Sequence, residues 1–348
     1  MKTVNFAILG CGNIGSRHTE RIKEIEGANL QAVCDIAEDK AKSLGEKYGC
    51  SYYFKLEDML KNPNIDFVNV CTPCGLHARQ SIAALKAGKN VLSEKPMAIF
   101  AKDALQMVQV AGENKRKLFI VKQNRYNPPI KLVRQLATDG KLGEPILFIA
   151  NMIWNRNEEY YQKSPWRRSL KMAGGTLYNQ ASHFVDLMLS FMGKPENVYA
   201  LMGTKKMDIE IEDTGTITSE FENGSFGVLN YTVTATNRNY EGSITLISSK
   251  GTIKIGGEYL DKIDYFQVEG IDSFDSIEAP TNPDVYGFFQ ESMSKLILDV
   301  VKNFNDPSYV GDLVTGQEAI GGVRLMEGAM ESAKTKKIVN ISLKRIQE

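Results

Sequence analysis

The stretch VNFAILGCGNIGSRHTERIKE, residues 4–24, limits this chain more than any other. An apolar run, VNFAILG, reads as a strand, and a helical pattern through Arg21 to Glu26 follows it at once. Between them stand Gly10, Gly12 and Gly15, spaced G-x-G-x-x-G. In that setting the first glycine permits the tight turn and the second lets backbone approach a pyrophosphate. The third lets helix and strand pack closely. The N–H groups that open the helix, at Asn13 and Ile14, then face phosphate. Asp35 closes the next strand, LQAVCDI, 20 residues after Gly15, where a carboxylate can hold a ribose 2′-hydroxyl. The residues after it, IAEDK, bring Glu38 and Asp39 and no arginine, so a 2′-phosphate would be repelled. The expected cofactor is NAD rather than NADP.

The same alternation continues through FVNVCTP, LHARQSIAALKAG, NVLSEKP, AKDALQMVQVAGENK and KLFIVKQ. Ala78, Ile82 and Leu85 fall at helical spacing, and Gly88 stops that helix. Strand and helix alternating in this way give a doubly wound parallel sheet, a Rossmann domain over residues 1–123. After Asn124 the pattern changes to PILFIANMIW, TGTITSEF, SFGVLNYTVTA and EGSITLIS, joined by short turns such as Asn223-Gly224. A second α/β domain with a large, mostly antiparallel open sheet is expected over 124–348. The face of such a sheet needs covering by helices or by another subunit. A late helix over about 314–335, with Val323, Met326 and Met330 on one side, is expected to pack back on the first domain. Residues 270–284, GIDSFDSIEAPTNPD, read as a long exposed loop.

Charge and cysteines exclude several classes. The 42 basic and 42 acidic residues cancel, which argues against a nucleic-acid or membrane-surface partner. No apolar run approaches the roughly 18 residues of a membrane span. The five cysteines, Cys11, Cys34, Cys50, Cys71 and Cys74, are odd in number and confined to one end, a poor disulfide framework. Cys71-Thr-Pro-Cys74 has no second pair to complete a zinc site, so no metal is expected. VNFAILGCGNIG lacks the cleavage site of a signal peptide, and the chain reads as cytoplasmic.

Three further segments carry candidate chemistry. SEKPM, 93–97, ends a strand at the edge where open α/β sheets place ligands. Lys95 there can grip a substrate hydroxyl and, if desolvated, share in proton transfer. The loop Thr72-Pro73-Cys74-Gly75-Leu76-His77 follows the neighbouring strand and is expected near the cofactor, with His77 structural or lining it. His18, in the first helix, reads as a packing or solvent residue. In GGTLYNQASHFVDLM, 174–188, Asn179 and His183 lie four apart, on one helix face. A core histidine held by an amide is the ordinary reading of such a pair, and a ligand-facing pair is the other. The Gly-Gly before it would let the chain pass close to a ligand.

GCGNIG, TPCGLH, SEKPM and GGTLYNQASH, in this order and spacing, resemble the Gfo/Idh/MocA oxidoreductase family over nearly the whole chain. The resemblance implies a Rossmann domain joined to an α/β domain whose open sheet forms subunit interfaces, hence a homotetramer or homodimer. It implies oxidation or reduction of a hydroxyl or carbonyl of a sugar, cyclitol or related compound with a nicotinamide cofactor. The family's usual catalytic pair falls on Lys95 and His183. Glu94, Gln123, Trp166 and Arg167 join Thr72, Pro73 and His77 as cofactor-lining residues. One position departs from the pattern: many members carry Asp where this chain has Asn179. Asp would favour imidazolium, whereas Asn orients the ring without that charge and leaves His183 neutral and able to accept a proton.

Residues 154–169, WNRNEEYYQKSPWRRS, and 237–257 narrow the resemblance to the branch that oxidises the 3-hydroxyl of UDP-N-acetylglucosaminuronate in surface-polysaccharide synthesis. Tyr160, Tyr161 and Trp166 offer stacking surfaces, and Arg156, Arg167, Arg168 and Arg238 offer partners for phosphate or carboxylate. In some relatives 2-oxoglutarate reoxidises the bound cofactor. The alternatives are the same chemistry on inositol or another sugar, and a non-catalytic NAD-sensing or scaffold protein on this fold.

Overall fold

The computed structural model of the chain describes residues 2–272 and 290–342. The loop expected at 270–284 lies, from 273 onward, outside them. The first half alternates as its sequence demands. Strands β1 (Val4–Leu9), β2 (Ala28–Cys34), β3 (Ser51–Tyr53), β4 (Phe67–Val70), β5 (Asn90–Ser93) and β6 (Leu118–Ile120) take turns with helices. These are α1 (Asn13–Glu24), α2 (Glu38–Tyr48), α3 (Leu56–Leu60), α4 (His77–Lys86) and α5 (Ala101–Glu113). Every residue of β4 and β5 is buried, as in a parallel strand covered on both faces. α2 stops at Gly49, whose left-handed φ of 66° a side chain would disfavour.

The second half holds α6 (Pro128–Thr138), β7 (Pro145–Ile153), α7 (Glu158–Gln162), α8 (Leu170–Ala173) and α9 (Ser182–Met192). Then come β8 (Pro195–Gly203), β9 (Thr214–Phe221), β10 (Phe226–Thr232), β11 (Glu241–Ser248), β12 (Gly251–Gly256) and β13 (Lys262–Val268). The described chain ends with α10 (Gln290–Asn305), β14 (Val314–Thr315), α11 (Gly316–Thr335) and β15 (Val339–Asn340).

Among the described residues the strands form two sheets. The first has the order β14-β6-β5-β4-β1-β2-β3, parallel except where β14 pairs antiparallel with β6. Strand order reverses between β1 and β4, which makes the carboxyl ends of these strands the crevice where doubly wound sheets bind ligands. Phe6 stacks on Phe67 at 5.6 Å in its core. The second has the order β13-β12-β11-β7-β10-β9-β8-β15 and is antiparallel except for the β7–β10 pair. Its strands alternate buried and exposed residues, and α9 covers the buried face. Phe148 stacks on Phe191 and Trp154 meets Phe184 edge-on. A buried bidentate pair, Arg125 Nε to Asp186 Oδ2 at 2.8 Å and Nη2 to Oδ1 at 3.0 Å, anchors α9 to the segment before α6.

The chain divides into two compact units, Met1–Gln123 with Gln290–Ile320, and Asn124–Phe289 with Gly321–Glu348. The sequence reading assigned everything after 123 to the second domain. Residues 290–320 instead join the first unit, because β14 extends its sheet beyond β6 and Lys117 Nζ bonds the Asn303 carbonyl. The late helix is α11, with Val323 and Met326 buried, and only its first turn belongs to the first unit. Among the described residues no helix is long and apolar enough to cross a membrane.

Candidate active site

Each glycine of the first loop has its own physical reason. Gly10 has φ +100°, and a Cβ on it would stand 2.8 Å from the Cys71 carbonyl oxygen. A Cβ on Gly15 would run into the Gly10 carbonyl, so helix and strand close only without one. Nothing lies within 4 Å of a Cβ on Gly12, and Gly12 and Asn13 are exposed. This is the open place that an approaching pyrophosphate requires. No side chain caps α1 and no acid sits in its first turn, so its leading N–H groups remain for an anion.

Asp35 lies just past β2, as expected, and does something the sequence reading missed. Its Oδ2 accepts the Cys11 N–H and its Oδ1 the Ala37 N–H, both at 2.8 Å, so it fastens the glycine loop to the strand end. Each carboxylate oxygen keeps a second lone pair for a ribose hydroxyl. Ile36 beside it is 93% exposed, a bare apolar platform that an adenine ring can cover. Its signal in the sequence was an apolar residue carried past the end of a strand. The Gln123 side-chain oxygen is buried without a protein partner, an acceptor suited to a ligand N–H. These features fit a dinucleotide.

After β5 comes Glu94-Lys95-Pro96. The Glu94 carboxylate is buried, with Oε1 3.0 Å from His18 Nε2 and Oε2 accepting the Lys95 N–H at 3.1 Å. Burial pushes the Glu94 carboxyl up, but His18 and Lys95 outweigh it and hold it below the usual range. His18 is thus no solvent residue: it is fully buried in a polar network. Lys95 is half-buried. His77 is also buried, its two ring nitrogens each 2.7 Å from a carbonyl oxygen, those of Pro96 and Thr72. Burial lowers its pKa more than these carbonyls raise it. A neutral ring has one N–H to donate between these two acceptors, and it lies between the loop after β4 and the loop after β5. Thr72 Oγ1 donates to Gln80. All five cysteines are free thiols, and burial followed by the Asp35 charge pushes Cys11 and Cys34 up to about 12. Among the described residues no His, Cys, Asp or Glu cluster could hold a metal ion.

In the second unit the Gly-Gly turn departs from expectation. Gly174 and Gly175 have φ +79° and +128°. A Cβ on Gly174 would meet the Tyr178 ring at 2.8 Å, and one on Gly175 would run into the Glu212 carboxylate. The glycines make room for the chain's own side chains, where the sequence reading had a ligand. Glu212 Oε1 then accepts the Leu177 N–H at 2.8 Å and the Tyr231 hydroxyl at 3.2 Å, and its carbonyl accepts Thr176 Oγ1 at 2.6 Å. The chain continues into a π-helical turn, Leu177–Ala181, and not the plain α-helix that the spacing suggested. Such turns favour functional positions. Asn179 is half-buried in it, and His183 is buried in the first turn of α9. Burial raises the Glu212 carboxyl to about 7, against the pull of the Leu177 N–H and the Tyr231 hydroxyl.

A cavity of about 350 Å³ in the same unit gathers Arg156, Tyr160 and Arg238, three of the residues singled out for substrate, with Lys163, Asn239 and Tyr259. Arg156 Nη1 donates to the Asn155 carbonyl and to Asn239 Oδ1. Its guanidinium lies 5.3 Å from the centre of the Tyr160 ring, and that of Arg167 lies 4.0 Å from it. Gln180 donates to the Tyr160 hydroxyl at 2.9 Å. Tyr160 therefore already stacks on protein cations. Tyr161 is buried and offers no stacking surface, and Arg168 pairs with Glu158 and does not line this cavity. Trp166 is half-buried beside Arg167.

Residues 4–122 match the model of an oxidoreductase family with an NAD-binding Rossmann fold, and residues 130–254 match the Gfo/Idh/MocA C-terminal domain. The WlbA dehydrogenase of Bordetella pertussis, solved with NADH and UDP-GlcNAcA, is 30% identical over 98% of this chain and 99% of that one, with a TM-score of 0.89. The chain belongs to the Gfo/Idh/MocA oxidoreductase family. The WlbA dehydrogenase of Chromobacterium violaceum, solved with the same two ligands, is 31% identical over 99% of this chain and 97% of that one, at a TM-score of 0.88. Myo-inositol 2-dehydrogenase of Thermotoga maritima is 28% identical over 72% of this chain and 74% of that protein. As a Gfo/Idh/MocA member this chain is an NAD-dependent oxidoreductase.

Proposed function

We propose that this protein is a sugar dehydrogenase that oxidises the 3-hydroxyl of UDP-N-acetylglucosaminuronate to the 3-keto sugar, with Lys95 and His183 as the catalytic groups. The observation that carries the reading is the arginine-bearing cavity of the second unit, in a chain alike over almost its whole length to two enzymes solved with that nucleotide sugar. A diphosphate and a carboxylate call for guanidinium partners, and neutral inositol does not. NAD supplies the hydride acceptor. His183 takes the proton of the 3-hydroxyl as the hydrogen on carbon 3 leaves with its electron pair. Lys95 hydrogen-bonds the same oxygen and steadies its developing negative charge. Asn179 orients without adding charge. Free thiols at all five cysteines suit a cytoplasmic setting.

The test incubates the purified protein and NAD with UDP-N-acetylglucosaminuronate, and in parallel with myo-inositol. Absorbance of reduced nicotinamide and a product mass two hydrogens lighter are followed. Turnover of the nucleotide sugar supports the proposal. Turnover of inositol alone replaces it with the cyclitol reading that the Thermotoga relative supports. Adding 2-oxoglutarate to the NADH-loaded protein tests whether the cofactor is recycled in place.

A further inference from the structure

His18 follows Gly15 by three residues, one turn into the helix whose start faces the phosphates. Its imidazole is wholly buried, where an aliphatic side chain would carry no desolvation cost. Its hydrogen bonds have one consistent polarity with the Asn69 amide as placed. Asn69, also wholly buried on β4, presents its amide nitrogen 3.1 Å from Nδ1, which makes Nδ1 the acceptor. The ring proton therefore sits on Nε2 and is donated to Glu94 Oε1, 3.0 Å away. The other carboxylate oxygen accepts the Lys95 N–H at 3.1 Å. The chain Asn69–His18–Glu94–Lys95 thus runs in one direction from the middle of the sheet, through the first turns of α1, to the backbone of the lysine.

We propose that His18 is a positioning residue for Lys95, acting through Glu94, and that it couples the helix of the glycine loop to the catalytic lysine. The proposal rests on the reading of Lys95 as catalytic. Without the Nε2–H donor, Glu94 Oε1 is a buried, unpartnered carboxylate oxygen. The carboxyl then takes up a proton or swings away, and in either case the Lys95 amide loses an anionic acceptor. The pair of loops around Lys95 would be held from one side only, by His77 between Thr72 and Pro96.

The experiment compares His18→Gln, whose amide can place an N–H near the position of Nε2, with His18→Leu, which cannot. Hydrogen exchange of a peptide containing Lys95 is measured on the whole protein without substrate, alongside the NADH dissociation constant. Turnover of UDP-N-acetylglucosaminuronate is measured next. His18→Leu is expected to speed exchange at Lys95 and to lower kcat about 10–100-fold, while KM and the NADH constant move less than about threefold. His18→Gln is expected to restore most of both. Equal behaviour of the two variants, or a kcat loss that tracks the unfolded fraction, would overturn the proposal. Should His18→Leu fail to fold, Glu94→Gln in its place must show the same fast exchange and low kcat, and normal values for both would overturn it. A wild type inactive on the nucleotide sugar, with exchange still fast in Leu and slow in Gln, sinks the substrate reading and leaves the positioning role standing.

Discussion

Lys95 and His183 act on one oxygen in the proposed reaction, so their losses should overlap. His183→Asn is expected to lower turnover by roughly 10²–10⁴ while leaving NADH affinity nearly intact, and Lys95→Ala to cost a similar factor. Stopped-flow rates of the double variant should fall short of the product of the two. Asn179→Asp separates charge from orientation. A carboxylate there favours imidazolium, so a higher pH is needed to recover the free base, and the acid limb of the kcat profile should move upward. A limb that stays put would return His183 to the core histidine of the ordinary reading. Asp35 carries two loop hydrogen bonds besides its expected ribose contact. Asp35→Ala should therefore weaken NAD by about 1.5–3 kcal/mol and narrow the gap to NADP. Titration calorimetry showing equal affinities in the wild type would remove the assignment.

The π-helical turn rests on Glu212, and here pH should act on stability. The carboxyl is raised from its ordinary 4.5 to about 7 by burial, so between these values the folded chain holds a proton the unfolded chain has shed. The stabilisation is present below pH 4.5 and is lost as pH rises toward 7 and beyond, on the order of 3 kcal/mol. Asp213, Tyr178 and Tyr231 are the titratable neighbours, and Asp213 adds to the rise. Glu212→Gln should flatten this part of the melting-temperature profile, the gap to wild type widening from pH 5 to pH 8. A parallel pair of profiles would count against it. None of this was legible beforehand. The strands and the glycine loop announce themselves by local periodicity, and so does the spacing of Asn179 from His183. Glu212 meets Leu177 across 35 residues and His18 meets Glu94 across 76, and no local pattern marks such a partner. The Gly-Gly signal was seen, yet only the structure says that Tyr178 and Glu212 fill the space.

The outer face of the second sheet carries an apolar surface. Tyr199 and Leu201 on β8 are exposed there, as is Phe226 on β10. Val228 stands opposite Ile149, and Ile247 opposite Leu147, so the four continue the same face. A stripe of this size on one chain calls for a cover, and a second copy meeting it face to face is the occupant expected from the sequence. Light scattering should give a dimer or tetramer, and Leu201→Glu should shift it toward monomer. A wild-type monomer at micromolar concentration would decide against the pairing.

β14 has a consequence for biosynthesis. The nucleotide-binding sheet starts with β1, made well before Val314 and Thr315, which complete it at its β6 edge. Phe304 rests on Phe67 in its core, and the Lys2 amide is bonded by Asn305. Until residues 304–315 have been made, then, the emerging sheet presents an open edge strand and an uncovered aromatic surface, the condition in which edges recruit other chains. A nascent chain arrested after residue 123 is expected to depend on chaperones for its solubility, and one that carries residues 290–340 as well to escape them. The two units alternate along the chain, so the cofactor unit waits for residues 290–320 and the second unit for the segment after them.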